Sequence, residues 1–224
     1  MPVPINRQHL NHLLYTPPVS GKLVLIIGPS GVGKSVILKK LKASHPEFIF
    51  PRSATTRSKR AGETDDLYHF LTDGEFDQLL RDGKVLEWAV VHGGGRYGTL
   101  IDEIIPFIEQ SKTVIREVDV QGFDSIRRHP LFSGDHPTYH LQTIFILPES
   151  KQQLIGHIKK RAPMSKDELQ RRIESMEREL AYANLCDHKV ENKEGRLEET
   201  MRNVEIIIGG LGSPELEPAP RYSF

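Results

Sequence analysis

Residues 28–35, Gly-Pro-Ser-Gly-Val-Gly-Lys-Ser, constrain this chain more than any other stretch. They follow a continuous apolar run over 23–27, which reads as a strand buried on both faces. After them Val36, Ile37, Leu38 and Leu41 recur at helical spacing, with Lys39, Lys40 and Lys42 on the wetter side. Strand, glycine-rich turn and helix make the opening of an α/β unit. The glycines allow a turn in which backbone N–H groups point inward around an anion, and the helix directs its positive end at the same point. Lys34 and Ser35 complete the pattern G-x-x-x-x-G-K-[ST]. Its lysine reaches the β and γ phosphates of a nucleoside triphosphate, and its hydroxyl sits on Mg²⁺. Gly28, Ser30, Gly31, Val32, Gly33, Lys34 and Ser35 are therefore the expected contacts for a nucleoside triphosphate with Mg²⁺. The pattern alone does not specify a reaction.

Bulk properties narrow the class. The chain has 224 residues, 38% apolar and 27% charged, ordinary for a globular domain. Thirty Lys and Arg residues balance thirty Asp and Glu residues, which argues against a general binder of nucleic acid or membrane surfaces. Cys186 is the only cysteine, so no internal disulfide can form. No apolar run nears the ~20 residues of a membrane-spanning helix. The N-terminus lacks the basic-then-apolar pattern of a signal peptide. A cytoplasmic enzyme is the expected setting, as a monomer or a homo-oligomer.

Further along, residues 51–99 are polar and rich in Gly, Arg and Thr, with helical periodicity only near 75–81. A short strand-rich insertion fits. A helix over 101–110, bent near Pro106, precedes strands at 113–120 and 143–147. Helices follow over 150–160, with Ser150 as cap, and over 166–184. A short strand at 189–191 and a helix over 197–208 complete the alternation, which implies a parallel sheet with helices on both faces. Residues 1–20 read as an extension and 210–224 as a proline-bearing disordered tail.

The insertion begins Ser53-Ala-Thr-Thr-Arg57-Ser-Lys-Arg60-Ala-Gly-Glu63. Two arginines beside hydroxyls form an anion-binding cluster, since guanidinium forks match phosphate oxygens. Tyr68 adds a neutral donor. The competing reading is a solvated basic loop. Glu87, Thr99, Glu117 and Asp119 come next. A carboxylate suits guanine, whose N1–H and 2-amino group donate together, and a threonine hydroxyl suits its O6. Adenine has no such donor pair. For each acidic residue alone, an ordinary surface carboxylate is the competing reading.

Taken in order, residues 28–35, Thr55-Thr-Arg57, Arg60-Ala-Gly-Glu63, Tyr68-His-Phe70, Glu87-Trp-Ala89, Tyr97-Gly-Thr99 and Asp119-Val-Gln-Gly122 resemble the motifs of guanylate kinases. The resemblance covers 21–208. It implies an α/β/α phosphate-loop core (21–50, 100–158 and 185–209), a GMP-binding insertion (51–99) and a helical lid (159–184). It also implies transfer of a phosphoryl group from ATP to GMP. By this match Ser53, Arg57, Arg60, Tyr68 and Tyr97 hold the GMP phosphate, and Glu87, Thr99 and Asp119 read the guanine. Lys34, Arg57, Arg161 and Arg172 carry the transfer, Asn192 lies near the adenine, and Glu117 meets Mg²⁺ through water.

The sequence departs from the family at several points. The segment from Glu63 to Tyr68 is one residue shorter, and the one from His92 to Tyr97 is one longer and holds three successive glycines. Glu117 replaces an aspartate. Arg116 replaces an apolar residue of a central strand, where burial requires a partner the sequence does not name. The lid segment 160–165 lacks a glycine and is stiffened by Pro163. Two rivals remain at this level. One is a kinase of another small acceptor such as a ribose phosphate, and the other a non-catalytic guanylate-kinase-like binding module. Glu87 and Asp119 oppose the first, and the complete phosphate loop opposes the second.

Overall fold

The structure, a computed structural model, describes residues 21–90, 94–161 and 165–210, with residues 160 and 161 described by their backbone alone. The extension 1–20, the tail beyond Gly210, His92, Pro163 and the side chain of Arg161 lie outside the described residues.

In chain order the elements are β1 (Lys22–Ile27), α1 (Lys34–Ser44), β2 (Ser53–Thr55), β3 (Tyr68–Phe70), α2 (Asp73–Arg81), β4 (Val85–Val90) and β5 (Arg96–Leu100). There follow α3 (Ile105–Glu109), β6 (Thr113–Glu117), α4 (Val120–Arg128), β7 (His140–Pro148), α5 (Lys151–Arg161), α6 (Lys166–Ala181), β8 (His188–Asn192) and α7 (Leu197–Ile208).

Strands β6, β1, β7 and β8 form a four-stranded sheet in that order, all parallel. Leu23 to Ile27 are fully buried, as a central strand covered on both faces requires. Ile37 and Leu41 of α1, Phe123 and Ile126 of α4, Leu154 and Ile158 of α5, and Val204 and Ile207 of α7 join the same core. Because β1 and β6 are parallel neighbours, their carboxyl ends lie side by side. The glycine-rich loop leaves β1 where Glu117 and Asp119 leave β6, the edge at which open α/β sheets bind ligands.

The second sheet has the order β3-β2-β5-β4. Its register aligns Tyr68 with Ser53, Ser53 with Thr99, and Thr99 with Glu87. Paired residues share a face, so one row across all four strands presents these four side chains together. Tyr97, two residues before Thr99, shares that face. The opposite face takes α2: Phe76 is fully buried and its ring lies 6.2 Å from that of Trp88. Thr72 and Glu75 form a reciprocal capping box at the start of α2.

Several boundaries differ from the sequence reading. Pro106 does not bend a helix; a 3₁₀ turn over Ile101–Glu103 precedes α3, which takes Pro106 in its first turn, where the missing N–H costs nothing. β6 stops at Glu117 because the side chain of Asp119 accepts from the N–H groups of Gln121 and Gly122, capping α4, a helix the sequence reading omitted. β7 starts at His140 rather than 143, and α6 ends at Ala181 in a 3₁₀ turn over Tyr182–Leu185. Among the described residues no helix is long and apolar enough to cross a membrane.

Candidate active site

The glycine-rich loop wraps a cavity of about 670 Å³, lined by Gly28, Ser30 to Val36, Glu117, Asp119, Gln153, His157, Glu179 and the segment Asn192 to Gly195 with Leu197. Two glycines are dictated by the local geometry. Gly28 has φ 150° and a Cβ there would meet Ile146 O at 2.6 Å; Gly33 has φ 101° and its Cβ would meet Asn192 Nδ2 at 2.5 Å. Asn192 is thus a brace for the loop: its Nδ2 donates to Val32 O at 2.7 Å, and its Oδ1 accepts from Thr200. It also lines the cavity. His157 touches Gly31 O at 3.2 Å from the far side.

Lys34 Nζ donates to Gly28 O at 2.6 Å and Pro29 O at 3.2 Å, which holds the ammonium at the mouth of the loop, 3.8 Å from Glu117 Oε1. Ser35 Oγ lies 3.5 Å from Glu117 Oε2. A hydroxyl and a carboxylate are the hard oxygen donors that Mg²⁺ takes. Among the described residues no three His, Cys, Asp or Glu form a metal cage of their own. The residues present fit an ion that draws most of its ligands from phosphate and water.

A second cavity, of about 510 Å³, opens between the two sheets. Ser53, Tyr68, Glu87, Tyr97 and Asp119 line it, together with Leu38, Phe50, Leu67, Ala89 and Arg116. Lys34, Glu117 and Asp119 line both cavities and form their shared wall. Any group passing from one cavity to the other crosses beside Lys34.

Glu87 sits at the base of the second cavity with its side chain 12% exposed. Burial pushes its pKa up, opposed by the Thr99 hydroxyl that donates to its Oε1 and by the Arg116 cation, while the Asp119 charge adds to the rise. Thr99 is fully buried behind this carboxylate. Gly122 at the start of α4 lets the helix approach: a Cβ there would lie 3.3 Å from Glu87 Oε2. Asp119, which caps α4 through Oδ1, is thereby aimed at the same corner.

The other end of the cavity is aromatic and basic. The Tyr68 and Tyr97 rings meet edge-on at 5.8 Å, and the Arg57 guanidinium lies 5.2 Å from the centre of the Tyr68 ring. Arg57 Nε donates to the Tyr97 hydroxyl at 2.9 Å. Both Arg57 Nη atoms donate to the Glu63 carboxylate, at 2.8 and 2.7 Å, and the Arg60 N–H donates to Glu63 as well. These donors, chiefly Arg57, hold the Glu63 carboxyl at about 2, and Glu63 in turn raises the pKa of Arg57 above its ordinary value. Arg57 packs against both tyrosines, and neither it nor Arg60 is among the residues lining the cavity.

The remaining expected residue, Arg172, lies on α6 with Ser30, Arg171 and Glu179 around a third cavity, its Nη2 donating to Glu168 at 3.0 Å. The sequence reading missed three contacts. Glu63 clamps Arg57, Glu179 accepts from the N–H of Ser30 at 3.2 Å, and Arg116 reaches Ser53 Oγ at 2.8 Å. Ser53, given to a phosphate above, is thus engaged by Arg116 beside Glu87. Only Arg116 carried a signal, as a charge in an otherwise apolar strand.

The chain is similar to known proteins over most of its length. Residues 20–210 match the family model described as guanylate kinase. The chain is 35% identical over 171 residues to a guanylate kinase of Tropheryma whipplei (strain Twist), covering 76% of this chain and 84% of that one. It is 35% identical over 192 residues to one of Thermosynechococcus vestitus, covering 85% of this chain and 95% of that one. The crystal structure of guanylate kinase from Anaplasma phagocytophilum superposes with a TM-score of 0.57 at 22% identity, covering 86% of both chains, which shows the shared fold. Matched by the family model over residues 20–210 and by relatives at 35% identity across most of its length, this chain belongs to the guanylate kinase family.

Proposed function

We propose that this protein transfers the terminal phosphoryl group of ATP to GMP, giving ADP and GDP. The observation that carries the reading is the shared wall: Lys34, Glu117 and Asp119 face both the glycine-rich loop and the cavity floored by Glu87. In the first cavity, the loop's N–H groups and Lys34 cradle the triphosphate. In the second, the carboxylate of Glu87 accepts from N1–H and the 2-amino group of guanine, with Asp119 beside it. Ser53, Thr99, Tyr68 and Tyr97 share one face of the small sheet and line or back that pocket. Arg57 and Arg60 supply cationic charge at the tyrosine end for the acceptor phosphate.

A phosphate oxygen of GMP attacks the γ phosphorus in line, and the bond from that phosphorus to the β–γ bridging oxygen breaks as ADP leaves. The protein's share is placement and positive charge. Lys34 offers both, with Arg57, Arg161 and Arg172 adding charge around the transferring group. Mg²⁺, held by Ser35 and by Glu117 through water, would neutralise charge on the phosphates when bound. Residues 51–99 form the acceptor insertion, 159–184 the lid, and the rest of 21–209 the core. Closure of these parts would keep water from the γ-phosphate. The cytoplasm is the proposed location.

The test offers ATP and Mg²⁺ with GMP, AMP, CMP, UMP or a ribose phosphate separately and measures ADP release. Release with GMP well above every other acceptor is expected. Release with a ribose phosphate instead would assign the second cavity to a different acceptor.

A further inference from the structure

Arg116 stands in β6 after two buried apolar residues, Val114 and Ile115, and its side chain is only 14% exposed. Burying a guanidinium is costly unless it is paired at close range. Among the described residues its one carboxylate partner, Glu87, is a long ion pair rather than a close one. The nearest carboxylate oxygen, Glu87 Oε1, is 4.0 Å from Nη2, too far for a hydrogen bond. Glu117, the next residue along, is turned toward Lys34 and Ser35. Arg116 Nη2 donates to Ser53 Oγ at 2.8 Å, Nη1 reaches Pro51 O at 3.4 Å, and Nε is buried with no hydrogen-bond partner. A guanidinium has five N–H donors, so donor capacity is left over. The group lines the same cavity as Glu87.

We propose that Arg116 is a specificity-determining residue of the acceptor cavity. It donates to the 6-carbonyl oxygen of a purine whose N1–H and 2-amino group face Glu87. The 4.0 Å gap between Nη2 and Glu87 Oε1 sets a cationic donor beside an anionic acceptor. In a 6-oxopurine the carbonyl and N1–H are likewise adjacent, in complementary order. A 6-aminopurine places an N–H donor against the guanidinium and an unprotonated N1 against the carboxylate, and is opposed at both positions. Ser53 orients the guanidinium for this task. The backbone carbonyl of Pro51 assists, so the loop entering the insertion is tied to the residue that reads the base.

This inference rests on the kinase reading above, and the experiment separates the two. It compares kcat/KM for GMP with kcat/KM for its 6-thio analogue, which keeps N1–H and the 2-amino group but replaces the oxygen by a poor acceptor. The wild-type protein is expected to favour GMP. Arg116→Met is expected to lower that preference roughly tenfold or more, the scale of one charge-assisted hydrogen bond. The loss should fall on GMP and leave the 6-thio analogue nearly unchanged. A purely structural Arg116 would reduce both acceptors alike and keep their ratio, and that result would overturn the proposal. Should Arg116→Met not fold, Arg116→Leu, which like methionine has no side-chain N–H donor and matches the apolar residues before it in β6, decides the matter by the same ratio: a fall supports the assignment, an unchanged ratio removes it. No GMP turnover by the wild-type protein would instead sink the kinase reading and this proposal with it.

Discussion

Replacing Glu87 by alanine removes the one carboxylate at the base of the acceptor cavity that is both deeply buried and free to accept on its cavity side. Thr99 occupies Oε1 from behind, and Arg116 stands 4.0 Å away. On the proposed reading guanine donates two hydrogen bonds to this carboxylate, each worth about 1.5–3 kcal/mol as a bond to a charged group. Losing both costs about 3–6 kcal/mol of transition-state binding, or roughly 10²- to 10⁴-fold in kcat/KM for GMP. Ser53 and Pro51 O stay on Arg116, but that buried cation loses its nearest counter-charge and buried Thr99 its acceptor, so the variant should be less stable and a urea unfolding curve must show it folded under assay conditions. ATP binding should hold, since the glycine-rich loop is carried by a different strand. The assay is steady-state turnover with GMP varied at saturating ATP, alongside titration of ATP into the variant. Unchanged GMP kinetics would remove Glu87 from the base pocket. A parallel loss of ATP affinity would show a collapsed fold rather than a lost contact. The wild-type pH profile gives an independent check. Burial raises the Glu87 pKa, so the ionised acceptor disappears as pH falls through a value above the ordinary carboxylate range. The KM for GMP should therefore climb earlier on the acid side than an exposed carboxylate would allow. The same shift means that Glu87 contributes most to stability below its unfolded pKa, a contribution lost as pH rises through the folded one.

Other expectations follow from other parts of the molecule. Arg172→Ala should lower kcat by roughly 10²- to 10³-fold with little change in KM for GMP; equal losses in both would place Arg172 in substrate binding instead. Glu63 titrates at about 2 because Arg57 and the Arg60 N–H hold it. Its contribution to stability should be intact above the unfolded carboxylate range and vanish as pH falls toward 2, which carboxyl carbon shifts followed by NMR would report; a midpoint near 4.5, the ordinary glutamate value, would dissolve the clamp. Thr72→Ala should cost about 1 kcal/mol by urea unfolding, since the Thr72 hydroxyl both caps α2 and completes its capping box with Glu75. A neutral effect would mean that α2 is held by Phe76 packing alone.

The core was legible where one signal sufficed. The apolar run of β1 has a single reading, and the glycine-rich segment demands a turn at that place. Helix α7 was read with its boundaries, 197–208, because its apolar stripe is uninterrupted. Short strands were not legible: β2 and β3 span three residues each, too few for alternation to show, and only the register between them makes a row of Tyr68, Ser53, Thr99 and Glu87. Helix α4 was hidden because Asp119, taken for a base-reading residue, is also its cap. One carboxylate can do both, with Oδ1 on the helix and Oδ2 left over. Arg116 was flagged by its charge, yet its partner Ser53 lies 63 residues earlier on another sheet, a pairing no local pattern encodes. The grip of Glu63 on Arg57 is equally opaque. It spans a loop, where spacing carries no geometry, and it leaves Arg57 packed against the tyrosines at that end of the cavity.

The central claim is that a phosphoryl group crosses the wall shared by the two cavities, beside Lys34, and lands on GMP. The measurement that tests it most directly is ³¹P NMR of a reaction containing the protein, ATP, Mg²⁺ and GMP, read for every product. GDP and ADP growing in equal amounts, with no inorganic phosphate, is the expected result. ATP consumed to ADP and inorganic phosphate with GMP untouched, or GMP left unchanged by protein that binds both nucleotides, would contradict it.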